Sequence, residues 1–213
     1  MAKSVYLATL IATIAVILVV FFSVSVSDDA RAKQFNSEIN QFVLENELQS
    51  SFADFDANNK AVYCTIVQQG IINLSKSANT FESQLLTFKE NSFNTTEFYS
   101  VKRNYLLTNM ILFRSFLMAR EYCDFNTKPV LFFYAEDKSC EEECGVIGAQ
   151  LFDLKDCNSF RAFNFPYNWP TYEFTKILEV KYGVNKPGTL VVDGEKLESL
   201  QSKEVLSKKL GCA

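Results

Sequence analysis

Phe132-Phe133-Tyr134-Ala135-Glu136-Asp137-Lys138-Ser139-Cys140-Glu141-Glu142-Glu143-Cys144 joins an apolar run, of the kind buried strands carry, to two cysteines at the opening of a helix. A helix N-terminus presents unpaired N–H groups and the positive end of the backbone dipole. A thiol there ionises more readily, and the thiolate is the nucleophile of disulfide exchange. Residues four apart share one helix face. A disulfide across that spacing closes if Cys140 sits in the cap or loop rather than inside the regular helix.

The elements around this stretch define a small α/β unit. Val130 to Tyr134 reads as a buried strand, Cys140 to Asp156 as a helix, Phe160 to Phe165 as a second strand and Thr171 to Lys181 as a helix. Thr189 to Val192, the turn Asp193-Gly194 and the short return Glu195-Lys196 make a hairpin, and Lys203 to Leu210 a closing helix. The first crossovers favour parallel pairing, and the end is a hairpin.

Upstream, residues 28–125 hold no proline and one glycine, Gly70. Apolar positions recur there at helical spacing, the longest stripe being Phe98, Val101, Tyr105, Leu106, Leu112, Phe113, Phe116 and Leu117, a face to be buried in a core, the alternative being a peptide-binding groove. Turn and cap signals at Asn58-Asn59 and Asn91 to Thr96 divide this all-α section into helices near 29–54, 58–90 and 95–123. The second of them has potential breaks at Gly70 and Ser77. Consecutive helices with a short loop run antiparallel, which brings Cys64, near the start of one, beside Cys123, at the end of the next. The alternatives are a structural disulfide or two inert buried thiols.

Val5 to Val26 carries no charge, and at about 1.5 Å per residue it spans the ~30 Å hydrocarbon core. It is expected to be a transmembrane anchor. The rival is a signal peptide cleaved before Asp28, with Ser25 and Ser27 as the small residues of the cleavage site. Basic residues are too few to orient it. Six cysteines, an even number, favour an oxidising compartment, placing the bulk of the chain on the extracytoplasmic side of the cell membrane. The sequons Asn73-Leu74-Ser75 and Asn94-Thr95-Thr96 are compatible with this. The expected organisation is therefore an anchor at 1–27, a helical section at 28–125 and an α/β domain at 126–213.

Composition removes other chemistries. With no histidine in 213 residues, histidine-based nucleophilic or acid–base catalysis and mixed Cys/His zinc sites are excluded. The net charge of −4 and the lack of a basic block argue against nucleic acid. The glycines from Gly183 to Gly194 form no phosphate-cradling loop. A cysteine-only metal site would need four converging thiolates, and only Cys140, Cys144 and Cys157 are close in sequence. No cofactor and no metal are expected. Trp169, between Asn168 and Pro170, is either a recognition aromatic or a partly buried loop residue.

Over residues 126–212 the chain resembles the thioredoxin family, through the strand Val130 to Tyr134, the cysteine pair opening the next helix, Tyr182-Gly183-Val184 before a proline-containing loop, and Thr189-Leu190-Val191-Val192-Asp193-Gly194 in the final hairpin. The resemblance implies a thioredoxin-like fold and a redox-active centre. Cys140 would be the more exposed attacking thiol and Cys144 the resolving one, with the loop Pro187, Gly188 and Thr189 facing them to bind substrate. It also implies that the ends of two helices meet at the pole far from the site, pairing Cys157 with Cys212. Two features depart from the family pattern. Three glutamates replace the usual two residues between the cysteines, and Gly188, not proline, directly precedes Thr189, leaving a cis bond at Lys186-Pro187 as an open alternative.

Glu141, Glu142 and Glu143 suit a helix first turn, and also oppose thiolate formation beside them. They point to a slow, relatively reducing or structural disulfide. The functional expectation is a membrane-anchored thiol-disulfide oxidoreductase acting on protein thiols or disulfides. The alternative is a non-catalytic thioredoxin-fold binding module in which Cys140–Cys144 is a staple.

Overall fold

The computed structural model describes residues 60–90, 95–169, 173–197 and 200–212. The expected anchor at Val5 to Val26, the helix near 29–54 and Asn94 of the second sequon lie outside these residues. No helix among the described residues is long and apolar enough to cross a membrane.

Helices α1 (Lys60–Glu90) and α2 (Thr95–Tyr122) form an antiparallel hairpin. At one end Cys64 is bonded to Cys123 and Tyr63 meets Tyr122 edge-on at 5.6 Å. At the other, Phe88 meets Phe98 at 6.4 Å. α1 runs unbroken through Gly70 and Ser77. The hydroxyls of Thr65, Ser77, Thr80, Ser83 and Thr87 each donate to the carbonyl four residues back, so they are satisfied along the helix and do not compete with it. The stripe on α2 is core: Val101, Leu106, Leu112, Phe113 and Phe116 are buried.

The hairpin leads into an α/β unit. Its elements are β1 (Lys128–Tyr134), a 3-10 turn (Lys138–Cys140), α3 (Glu141–Asp153), β2 (Phe160–Pro166), α4 (Glu173–Tyr182), β3 (Thr189–Val192), β4 (Glu195–Leu197) and α5 (Lys203–Leu210). The sheet order is β2-β1-β3-β4. β1 and β2 are parallel, with Phe133 opposite Phe165, whereas β3 runs antiparallel to both β1 and β4, with Phe133 opposite Thr189. The sheet is thus mixed, and the expectation of parallel pairing holds for the first crossover alone. The reason is the loop 183–188, which carries the chain back to the pole where β1 ends before β3 begins: the Gly188 N–H donates to the Phe133 carbonyl at 2.8 Å.

Both faces of β1 are buried, which explains its continuous apolar run. Val130 and Phe132 join Leu190, Val192, Ile147, Leu151, Leu206 and Leu210 in one core layer under α3 and α5. On the opposite face, fully buried Phe163 meets Phe113 and Phe116 of α2 edge-on at 5.5 and 5.4 Å. Arg120 of α2 also pairs with Asp193 in the β3–β4 turn. The hairpin therefore supplies part of the sheet's cover.

Candidate functional site

β1 ends in the fully buried Phe133 and in Tyr134, whose phenol burial pushes well above its ordinary range. The chain then turns at Asp137, whose carboxylate caps the 3-10 turn by accepting from the Ser139 N–H at 2.9 Å. Hydrogen bonds from the Ser139 side chain and backbone hold that carboxyl below its usual value. Cys140 follows as the N-cap of α3, with non-helical backbone angles of φ −134° and ψ 17°. This departure from the helix lets an i,i+4 pair close: Cys140 and Cys144 form a disulfide across a Cα–Cα distance of 5.2 Å. The expected helix over Cys140 to Asp156 is thus shorter at both ends. Its C-terminal residues are drawn into turns in which Lys155 and Cys157 donate to Phe152 and Leu154.

The sulfurs are not equivalent. Cys140 is 5 % exposed, whereas Cys144 is half-buried. This reverses the expectation that Cys140 is the more exposed of the two residues. The cause is Gly188, which has φ +76° and lies so close that a Cβ built on it would stand 3.0 Å from Cys140 Sγ and 3.1 Å from the Glu143 carboxyl carbon. Only glycine fits both constraints. Of the expected loop residues, Gly188 and Thr189 are buried and Pro187 is half-exposed. Thr189 Oγ1 donates to the Lys186 carbonyl at 2.7 Å, and Lys186 Nζ lies 3.8 Å from Glu143. The peptide bond Lys186-Pro187 is trans, so the cis alternative falls.

A cleft of about 470 Å³ opens beside the disulfide, lined by both cysteines, Tyr134, Glu136, Asp137, Lys138 and Glu141. Behind it lies a cluster centred on Lys102, which is not among the expected site residues. Lys102 of α2 is buried, pairs with Glu136, and places its ammonium 4.1 Å from the Trp169 ring centre, 5.5 Å from Phe98 and 5.8 Å from Tyr134. Trp169 is therefore a half-buried residue packed over a cation. One signal was available: Lys102 stands four residues after Phe98 and four before Leu106, on the apolar stripe.

The remaining bonds are Cys64–Cys123 and Cys157–Cys212, so all six sulfurs are paired with one another and the cysteine-only metal set is not assembled. Cys157 and Cys212 follow the ends of α3 and α5, where Ser159 Oγ donates to the Gly211 carbonyl at 2.9 Å. No protein-family model, curated protein or solved structure matches the chain.

Proposed function

We propose that this chain is a membrane-anchored, extracytoplasmic thiol-disulfide oxidoreductase whose residues 126–212 form a thioredoxin-like domain, with Cys140–Cys144 as its redox-active disulfide. The mixed sheet β2-β1-β3-β4, with the cysteines following β1 and the Gly188-Thr189 loop against them, supports the fold assignment. Three disulfides support an oxidising compartment, and the uncharged run Val5 to Val26 supports the anchor.

The observation that carries the reading is a disulfide that caps a helix and borders an open cleft while closing a very short ring. Cys140 and Cys144 are four residues apart, whereas the other two bonds span 59 and 55. By loop-closure entropy the short ring contributes about 2 kcal/mol to stability, and each long one about 4 kcal/mol. Opening Cys140–Cys144 costs the fold least.

In the exchange, a substrate thiolate attacks Sγ of Cys144, the more exposed of the two cysteine residues. The Cys140–Cys144 bond breaks as the mixed disulfide forms, and Cys140 leaves as a thiolate at the N-terminus of α3, where the helix dipole stabilises it. A second substrate thiolate displaces Cys144, releasing oxidised substrate. Two electrons and two protons pass from the substrate dithiol to the cysteine pair, and the reverse sequence reduces a substrate disulfide.

One observation favours a second reading, the binding module with a structural staple: Cys140 lies under Gly188 and beside glutamates that oppose its ionisation. Single-cysteine variants separate the two. In Cys140→Ser the remaining Cys144 thiolate should attack a disulfide-bearing peptide and hold it as a mixed disulfide within seconds to minutes, one thiol of the peptide disulfide leaving. Trapping no faster than at a denatured-chain cysteine would leave the staple.

A further inference from the structure

Lys102 is the most conspicuous charge in the described residues that the exchange does not use. Its side chain is 7 % exposed, on a helix face otherwise given to the core. Removing an ammonium from water is costly unless it is paired, and here one carboxylate and three aromatic faces compensate it. The carboxylate belongs to Glu136, which is 37 % exposed at the wall of the cleft that holds both cysteines. Glu136 also immediately precedes Asp137, the cap of the turn that ends in Cys140.

We propose that Lys102 is a positioning residue for the Cys140–Cys144 centre: from the helical hairpin it fixes Glu136 at the cleft wall and cancels that carboxylate's field at the sulfurs. Without it, a fourth glutamate would act beside Glu141, Glu142 and Glu143, repelling an incoming thiolate and opposing the departing one. The helical section is then part of the redox site. This holds whether or not the disulfide turns over in the cell, because its reduction by an added dithiol is defined in either case.

The test is the rate of reduction of Cys140–Cys144 by dithiothreitol in the full chain, followed by quenching and mass-spectrometric thiol counting. The disulfide takes up two electrons and two protons and the reagent closes to its cyclic disulfide. Lys102→Met should slow reduction about three- to tenfold, and Glu136→Gln, which removes the carboxylate and keeps the ammonium beside the cleft wall, should speed it by a similar factor. The double variant should return to within about twofold of the parent. A purely structural role would loosen the turn in both single variants, and rates moving in the same direction, or not moving, would overturn the proposal. Should Lys102→Met not fold, Glu136→Gln decides alone: acceleration sustains the proposal and an unchanged or lower rate ends it. Failure of peptide trapping by Cys144 with this sign pattern intact would count against the oxidoreductase reading and not against Lys102.

Discussion

Gly188 covers Cys140. A methyl group at Gly188 would stand 3.0 Å from Cys140 Sγ, in a backbone conformation of φ +76° that side-chain-bearing residues rarely adopt. The loop before β3 thereby covers the Cys140 side of the disulfide. Gly188→Ala should destabilise the protein by about 2–4 kcal/mol, combining left-handed strain with a steric contact against the disulfide. Gly183 is the internal control, with φ +62° and open space around its Cβ position. Gly183→Ala should cost only the strain, about 1–2 kcal/mol. Urea unfolding of the two variants checks the difference, and equal losses would remove the contact from the account.

The three disulfides should open in order. On titration with a dithiol, Cys140–Cys144 should be reduced first and with the far-ultraviolet circular dichroism unchanged, because its short ring constrains the unfolded chain least. Cys64–Cys123 and Cys157–Cys212 should persist to higher reductant, and their removal should cost about 4 kcal/mol each. Thiol mapping at each step reads the order directly.

Phe163 joins the sheet to the helical hairpin through its edge-on contacts with Phe113 and Phe116. Phe163→Ala should destabilise by about 3–5 kcal/mol and lower the stability of hairpin and sheet together. Hydrogen exchange on α1 and α2 checks this: protection in the hairpin should fall with that in the sheet. Retained hairpin protection would mean that the two parts fold separately.

The partly buried phenol of Tyr134 contributes to the alkaline limit of stability. Burial, aided by the charge of Tyr105, raises its pKa above the ordinary value of 10.0, so the folded state favours the protonated form. The sign follows: its contribution is complete below pH 10 and is lost as pH rises from there toward the folded-state value. Tyr134→Phe should flatten the fall in stability between about pH 10 and 11, leaving a smaller slope from Tyr105, which is raised in the same direction by burial. Unfolding free energies at pH 8, 10 and 11 for parent and variant measure it.

Much of the architecture was legible because the deciding signals were local. The antiparallel hairpin followed from two periodic segments around a short polar connection, and α5 has the expected bounds Lys203 to Leu210, where Ser202 caps it by accepting from Val205 N–H and Gly211 ends it with φ +79°. What was missed depends on contacts between distant segments. The direction of β3 is set by the path of residues 183–188, and the burial of Cys140 by Gly188. The ion pair of Lys102 with Glu136 joins α2 to the loop after β1. The 3-10 turn that keeps Cys140 outside the regular helix rests on one carboxylate, Asp137, in a stretch whose composition already favoured a helix start.

The most direct test of the central claim is the reduction potential of Cys140–Cys144 in the full chain, by equilibration against glutathione buffers with each cysteine pair counted separately by mass spectrometry. A value between about −120 and −270 mV is expected, with exchange completed in minutes. A value well below about −300 mV, with negligible exchange, would contradict it and make the pair a structural staple.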